Sequence, residues 1–152
     1  MIHTIQTESM KDYSFRSDHA EHFSLHDCCP SSVELRDEKL IFYFPDGIAY
    51  DSYGNNWPNT GSAAVAFSIN NDSTFVRFID EKDGHQSEKT YTIAQLIEKV
   101  NSKAWELEFA YKNSEGTMYS GWIWTKDEGT DYGELHIGSC EYFWNTPCVE
   151  NH

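Results

Sequence analysis

The chain predicts a mainly β protein, either an antiparallel β-sandwich or a strongly curved sheet, with one short packed helix at about 93–101. Three observations carry that prediction. Several segments alternate apolar and polar residues with period two, the pattern of a strand with one buried face. Clusters of Asn, Asp, Ser and Gly separate those segments at short intervals. Helical spacing, by contrast, is clear in a single stretch.

In chain order, residues 1–20 are polar and read as extended or partly disordered until docked. Residues 33–36 and 39–44 flank Asp37-Glu38 and read as a hairpin. Residues 51–61 are rich in Gly, Asn and Pro and read as a surface loop carrying Tyr53 and Trp57. Residues 63–69 alternate through Ala63, Val65, Phe67 and Ile69, and 74–79 follow after Asn70-Asn71-Asp72-Ser73. The helix begins at Thr92, whose spacing to Gln95 is that of a capping box, with Tyr91 and Leu96 placed as a hydrophobic staple. Ile93, Leu96, Ile97 and Val100 form its apolar stripe, and Asn101 is positioned to end it in a left-handed conformation. A helix this short needs a sheet to bury its stripe, so it should cover an edge or an open end.

A meander is expected next, from 104–112, 117–125 and 133–140. In the first of these strands Trp105, Leu107, Phe109 and Tyr111 share one face, and Glu106, Glu108 and Lys112 the other. Trp122 and Trp124 are expected in the core with Trp105. No repeat and no low-complexity segment divides the 152 residues, so a single domain is expected, long enough to bury a core without staples.

Charge narrows the partner. Eleven basic against 25 acidic side chains give a net charge of −14, with both ends of the chain acidic and the middle third nearly balanced. Such a field repels nucleic acid and anionic membranes and attracts basic partners. The opening residues lack a basic stretch followed by an apolar one, and no run approaches membrane-span length. A cytoplasmic location with reduced cysteines is therefore expected.

Reactive side chains concentrate in one place, His19, His22, His26, Asp27, Cys28 and Cys29. On a helix the three histidines would share a face and make a metal stripe. Pro30 and the alternation of Phe23 and Leu25 with Ser24 and His26 favour an extended approach instead, where only His22 and His26 converge. The spacing matches no zinc signature, so His19, His22, His26 and Asp27 are weak metal candidates, and no metal or other cofactor is expected. Cys28 and Cys29 read as small buried residues. The His-Asp doublet also occurs in metal-dependent phosphohydrolases, but there it sits in an all-helical domain with further ligands on other helices.

Acidic and aromatic residues point to binding. Glu106 and Glu108 share a strand face, and alternating Glu on a strand is usually a solvated surface. Tyr132, Tyr53 and Trp57 are among more aromatics than a core of this size requires, so some should reach solvent and form a protein-binding patch or a sugar-stacking platform.

The run Phe23-Ser24-Leu25-His26-Asp27-Cys28, with Ser32-Val33-Glu34-Leu35 and Leu40-Ile41-Phe42-Tyr43-Phe44-Pro45-Asp46-Gly47 after it, resembles the opening of small bacterial β-rich proteins with an aromatic-x-aliphatic-His-Asp-small motif. Some of those resemble immunity proteins of bacterial toxin systems, cytosolic acidic proteins that bind and block a toxin. The resemblance covers the first third of the chain. It implies a structural role for His26 and Asp27, ordering the entry to the first strand through hydrogen bonds. The expected function is non-enzymatic binding of a basic protein through an acidic, aromatic surface that includes Tyr53, Trp57, Glu106, Glu108 and Tyr132. The alternatives are a carbohydrate or small-ligand module using Trp57, and a metal-dependent hydrolase built on 19–29.

Overall fold

The computed structural model describes residues 12–50, 59–126 and 129–145. Twelve strands and one helix follow one another as β1 (Phe15–Ser17), a 3₁₀ turn (Ala20–His22), β2 (Phe23–Ser24), β3 (Ser32–Arg36), β4 (Lys39–Phe44), β5 (Ala49–Tyr50), β6 (Ala63–Ser68), β7 (Thr74–Asp80), β8 (Gln86–Tyr91), α1 (Ile93–Asn101), β9 (Trp105–Lys112), β10 (Met118–Thr125), β11 (Gly129–His136) and β12 (Ser139–Trp144). All pairings are antiparallel.

Two five-stranded sheets result, β1-β12-β6-β4-β3 and β8-β7-β11-β10-β9, with β2 and β5 as a separate ribbon. The first sheet lays Phe42 edge-on to Phe109 of the second, ring centres 5.3 Å apart, and Phe67 lies 4.9 Å from Tyr119. One buried cluster runs continuously through both inner faces. This is the predicted sandwich, and the alternation that predicted it is what supplies each sheet with one apolar face.

The helix occupies the predicted residues for the predicted reason. Thr92 Oγ1 accepts the Gln95 N–H at 3.1 Å, and Gln95 Oε1 accepts the Thr92 N–H at 2.9 Å, closing the capping box. Leu96 and Val100 are buried, each worth about 1.5–3 kcal/mol of burial. The helix packs against β3, β9 and β7. Since β3 and β9 are edge strands of the two sheets, α1 closes the open side of the sandwich. Asn101 does not take the left-handed conformation expected of it; Lys103 does, at φ 67°. The Asn101 amide instead accepts from Val33 N at 2.9 Å and donates to Val33 O at 2.8 Å, tying the helix end to edge strand β3.

Asp37 and Glu38, at φ 50° and 65°, form the two-residue hairpin turn between β3 and β4. The strand expected at 133–140 is two strands. β11 ends at His136, Gly138 N donates to Ser68 O at 2.7 Å, and β12 departs into the first sheet. The segment from 104 onward is therefore not a self-contained meander but a link between the layers. β8 escaped the alternation because Gln86–Tyr91 is polar almost throughout; it is an edge strand whose charges discourage further pairing. Within the segment expected to be extended or disordered, β1 pairs with β12 at 15–17, and residues 1–11 lie outside the described residues.

Candidate functional site

A bulge in β9 determines which side chains the second sheet presents. Tyr111 pairs with Ser120 and Glu108 with Trp122, so Phe109 and Ala110 together face Gly121. Gly121 is required there, because a Cβ at that position would lie 1.8 Å from Glu108 O and 2.7 Å from Ala110 N. The extra residue reverses the alternation. Trp105, Leu107 and Phe109 point into the core, but Tyr111 is 57% exposed, which corrects the expectation that all four share the buried face. Lys112 turns inward instead and donates to Phe23 O at 2.8 Å; burial lowers its ammonium pKa.

β10 alternates against its expectation too. Tyr119, Gly121 and Ile123 fill the interior, whereas Trp122 and Trp124 are exposed on the outer face. They were expected in the core, but with aromatic or apolar residues on both sides of the strand the side of the sheet is decided only by which partner sheet packs where. In register across the outer face runs the row Glu108, Trp122, Tyr132, Phe78, Glu88. Tyr132 packs its ring edge-on to Trp122 at 5.7 Å and lies 6.0 Å from Phe78. A second row sets Trp124 between Glu106 and Thr130, and a third runs Tyr111, Ser120, Glu134, Val76, Thr90. Of the four large apolar side chains most exposed among the described residues, Tyr111, Trp122 and Trp124 all lie on this face. These three rows contain four carboxylates and neither Lys nor Arg.

Of the predicted binding residues, Glu106 and Tyr132 are thus brought onto one surface, and Glu108 stands in register at its β9 border but is buried; Tyr53 and Trp57 lie outside the described residues. Sequence reasoning missed Trp122, Trp124, Phe78 and Tyr111. The one available signal was Gly121 in the middle of an aromatic strand, a mark of close backbone approach.

The reactive cluster folds over the β9 border of this surface. Leu25 O accepts from Cys28 N at 3.0 Å, closing a turn with His26 and Asp27 at its tip. Asp27 takes the left-handed conformation at φ 65° and donates its N–H to Glu108 Oε2 at 2.8 Å. Glu108 is thereby buried, 7% exposed, and not part of the open surface expected of it. His26 stands between two carboxylates, Nδ1 3.3 Å from Asp27 and Nε2 3.7 Å from Glu108. The side chains of His26 and Asp27 are themselves exposed. It is the backbone of Asp27, not its carboxylate, that makes the bond to the strand.

His26, Asp27 and Glu108 each offer one ligand atom within 4.8 Å of the others, a nitrogen and two carboxylates that could hold a divalent cation with positions left open. His19 and His22 are not in that group. They pack edge-on to each other at 5.9 Å, and His22 stacks on Tyr50 at 5.8 Å. Cys28 is half-buried and Cys29 exposed rather than buried. Burial pushes the Cys28 thiol up to about 11. The Cys29 thiol is pushed up to about 12 by partial desolvation of its sulfur and by the hydrogen bond and charge of Glu106. Both remain protonated at neutral pH and are poor nucleophiles. Cys140 is buried beside the Tyr119 hydroxyl at 3.2 Å; Cys148 lies outside the described residues.

No helix among the described residues is long and apolar enough to cross a membrane. No family model, curated protein or solved structure matches the chain.

Proposed function

We propose that the chain is a non-catalytic binding protein that receives a basic protein partner on the outer face of its second sheet. One observation carries the reading: the register row Trp122, Tyr132, Phe78, Glu88, with Trp124 and Tyr111 beside it and Glu106 and Glu134 in the neighbouring rows, is an aromatic strip bordered by carboxylates with no cation within it. Rigid aromatics supply contact area at low entropic cost, and the acid border selects and steers a cationic surface. In the setting that the opening motif resembles, that partner is a bacterial toxin and the chain its cytosolic immunity protein.

The test is affinity capture from the native host with wild-type and Trp122→Ala/Trp124→Ala baits in parallel. A basic protein retained by the wild type, weakened about 30-fold or more in the double variant, and bound more slowly as salt rises, supports the reading. Capture of the same proteins by both baits, or of an acidic partner, rejects it. A glycan held by the wild type and lost with the two tryptophans would replace the protein partner with a carbohydrate.

A further inference from the structure

On the opposite side of the second sheet, at the mouth between α1 and the sheet's inner face, is a cavity of about 310 Å³ lined by Arg77, Lys89, Lys99 and Lys126 with Tyr91 and Trp105. Four of the chain's 11 basic residues converge there, in a protein of net charge −14. We propose that this cavity binds a small molecule with two or more closely spaced negative charges, of the phosphate-ester class.

The pairing of the other cations supports the assignment. Arg16 and Lys39 are both paired with Glu141, and Arg36 with Glu34. Lys103 and Lys112 donate to main-chain carbonyls. Arg77, inside the cavity, is held by Asp131 at 2.7 Å and by the Tyr91 hydroxyl at 3.3 Å. Among the described residues, the lysines that lack a carboxylate or carbonyl partner are Lys82, Lys89, Lys99 and Lys126, and three of those four line the cavity.

The aromatic walls orient these charges. Lys89 Nζ lies 5.2 Å from the Tyr91 ring centre and Lys99 Nζ 6.0 Å from that of Trp105, while Arg77 covers Trp105 at 5.6 Å. Cation–π contact keeps each ammonium over its ring without consuming its hydrogen-bond donors. Ammonium groups are compact point charges with rotatable donors, suited to tetrahedral oxyanions, and the Arg fork that would read a planar carboxylate is already taken by Asp131. The global negative charge does not cancel the site, because screening over roughly 8 Å at physiological salt leaves the nearest charges in control. The volume lies at the lower end of the range for small-ligand pockets, about 300–1,000 Å³.

Titration calorimetry of the full chain with inorganic pyrophosphate, at fixed ionic strength, tests the proposal, with citrate as a polycarboxylate comparator. Saturable one-to-one binding is expected for pyrophosphate, tighter than for citrate. It should weaken tenfold or more in Lys89→Gln/Lys99→Gln and in Lys126→Gln, and be unchanged in Lys82→Gln, whose lysine sits in the exposed β7–β8 turn. Thermal melts check that each variant folds, and the single Lys126→Gln variant suffices if the double variant does not. Absence of saturable binding, tighter binding of citrate, or an equal loss in Lys82→Gln overturns it.

Discussion

Glu108 and Asp27, 81 residues apart, are joined by a hydrogen bond of 2.8 Å from the Asp27 N–H to the Glu108 carboxylate. Through it the turn carrying His26 is fastened to strand β9 at the border of the aromatic face. Truncating Glu108 leaves a part-buried N–H without its acceptor, which costs about 1–3 kcal/mol. Glu108→Ala should therefore lower the urea-unfolding free energy by that amount, and Glu108→Gln, which keeps an acceptor oxygen, by less. Equal effects from the two variants would show that the carboxylate's acceptor role does not hold the turn.

Asp27 adopts φ 65°, where a side chain is strained and glycine is not, while its own carboxylate is largely exposed. Asp27→Gly should be neutral or stabilising by up to about 1 kcal/mol, and Asp27→Val destabilising. Chemical denaturation of the two variants side by side checks the sign. A clear loss in Asp27→Gly would mean that the carboxylate's approach to His26 outweighs the relief of strain.

Gly121→Ala places a methyl group within 1.8 Å of a carbonyl oxygen of β9. Only a rearranged bulge can accept it, so a loss of about 3 kcal/mol or more is expected, as strain of this kind moves backbone. Near-ultraviolet circular dichroism should change with it, because Trp122 and Trp124 flank the site. A variant with wild-type stability would mean that the strands slip register at little cost.

Glu141 lies between Arg16 of β1 and Lys39 of β4, 3.1 Å from the lysine. Burial alone would raise its carboxyl, but the hydrogen bonds and charges of Lys39 and Arg16 prevail and hold it below the ordinary 4.5. A carboxyl lowered by folding contributes stability that is complete above its unfolded pKa and disappears as pH falls through the folded one. As pH falls below about 5 the wild type should lose this contribution progressively, and Glu141→Gln should decline less steeply over the same fall. Parallel urea midpoints for the two proteins across that range would remove the ion pair from the acid response.

How much of this was legible in advance varies by element. The capping box around Thr92, the Asp37-Glu38 turn and the alternation of 39–44, 63–69 and 74–79 are local signals, and each appears in the fold. Period two places Trp122, Trp124 and Tyr111 in the core, where large apolar residues with that spacing ordinarily belong. That inference fails where both faces of a strand are apolar, and where one extra residue at a bulge exchanges the faces. The reactive cluster at 19–29 was visible as a cluster, but its anchor, Glu108, was hidden among alternating glutamates far along the chain.

By itself, then, the amino-acid sequence determined the quantities that depend on near neighbours: a β-rich chain, one capped helix from 93 to 101, an acidic surface and the places of most turns. Only the tertiary structure decided the quantities that depend on which strands become neighbours. The crossing of the chain from β11 to β12 made two sheets rather than one meander, the packing of those sheets set Trp122 and Trp124 outward, and the β9 bulge turned Tyr111 out beside them. Packing of α1 across the edge strands gathered Lys99 with Lys89, Lys126 and Arg77 around one cavity. Local propensities act over a few bonds, whereas burial and charge convergence depend on contacts between residues tens of positions apart, which no short window of sequence contains.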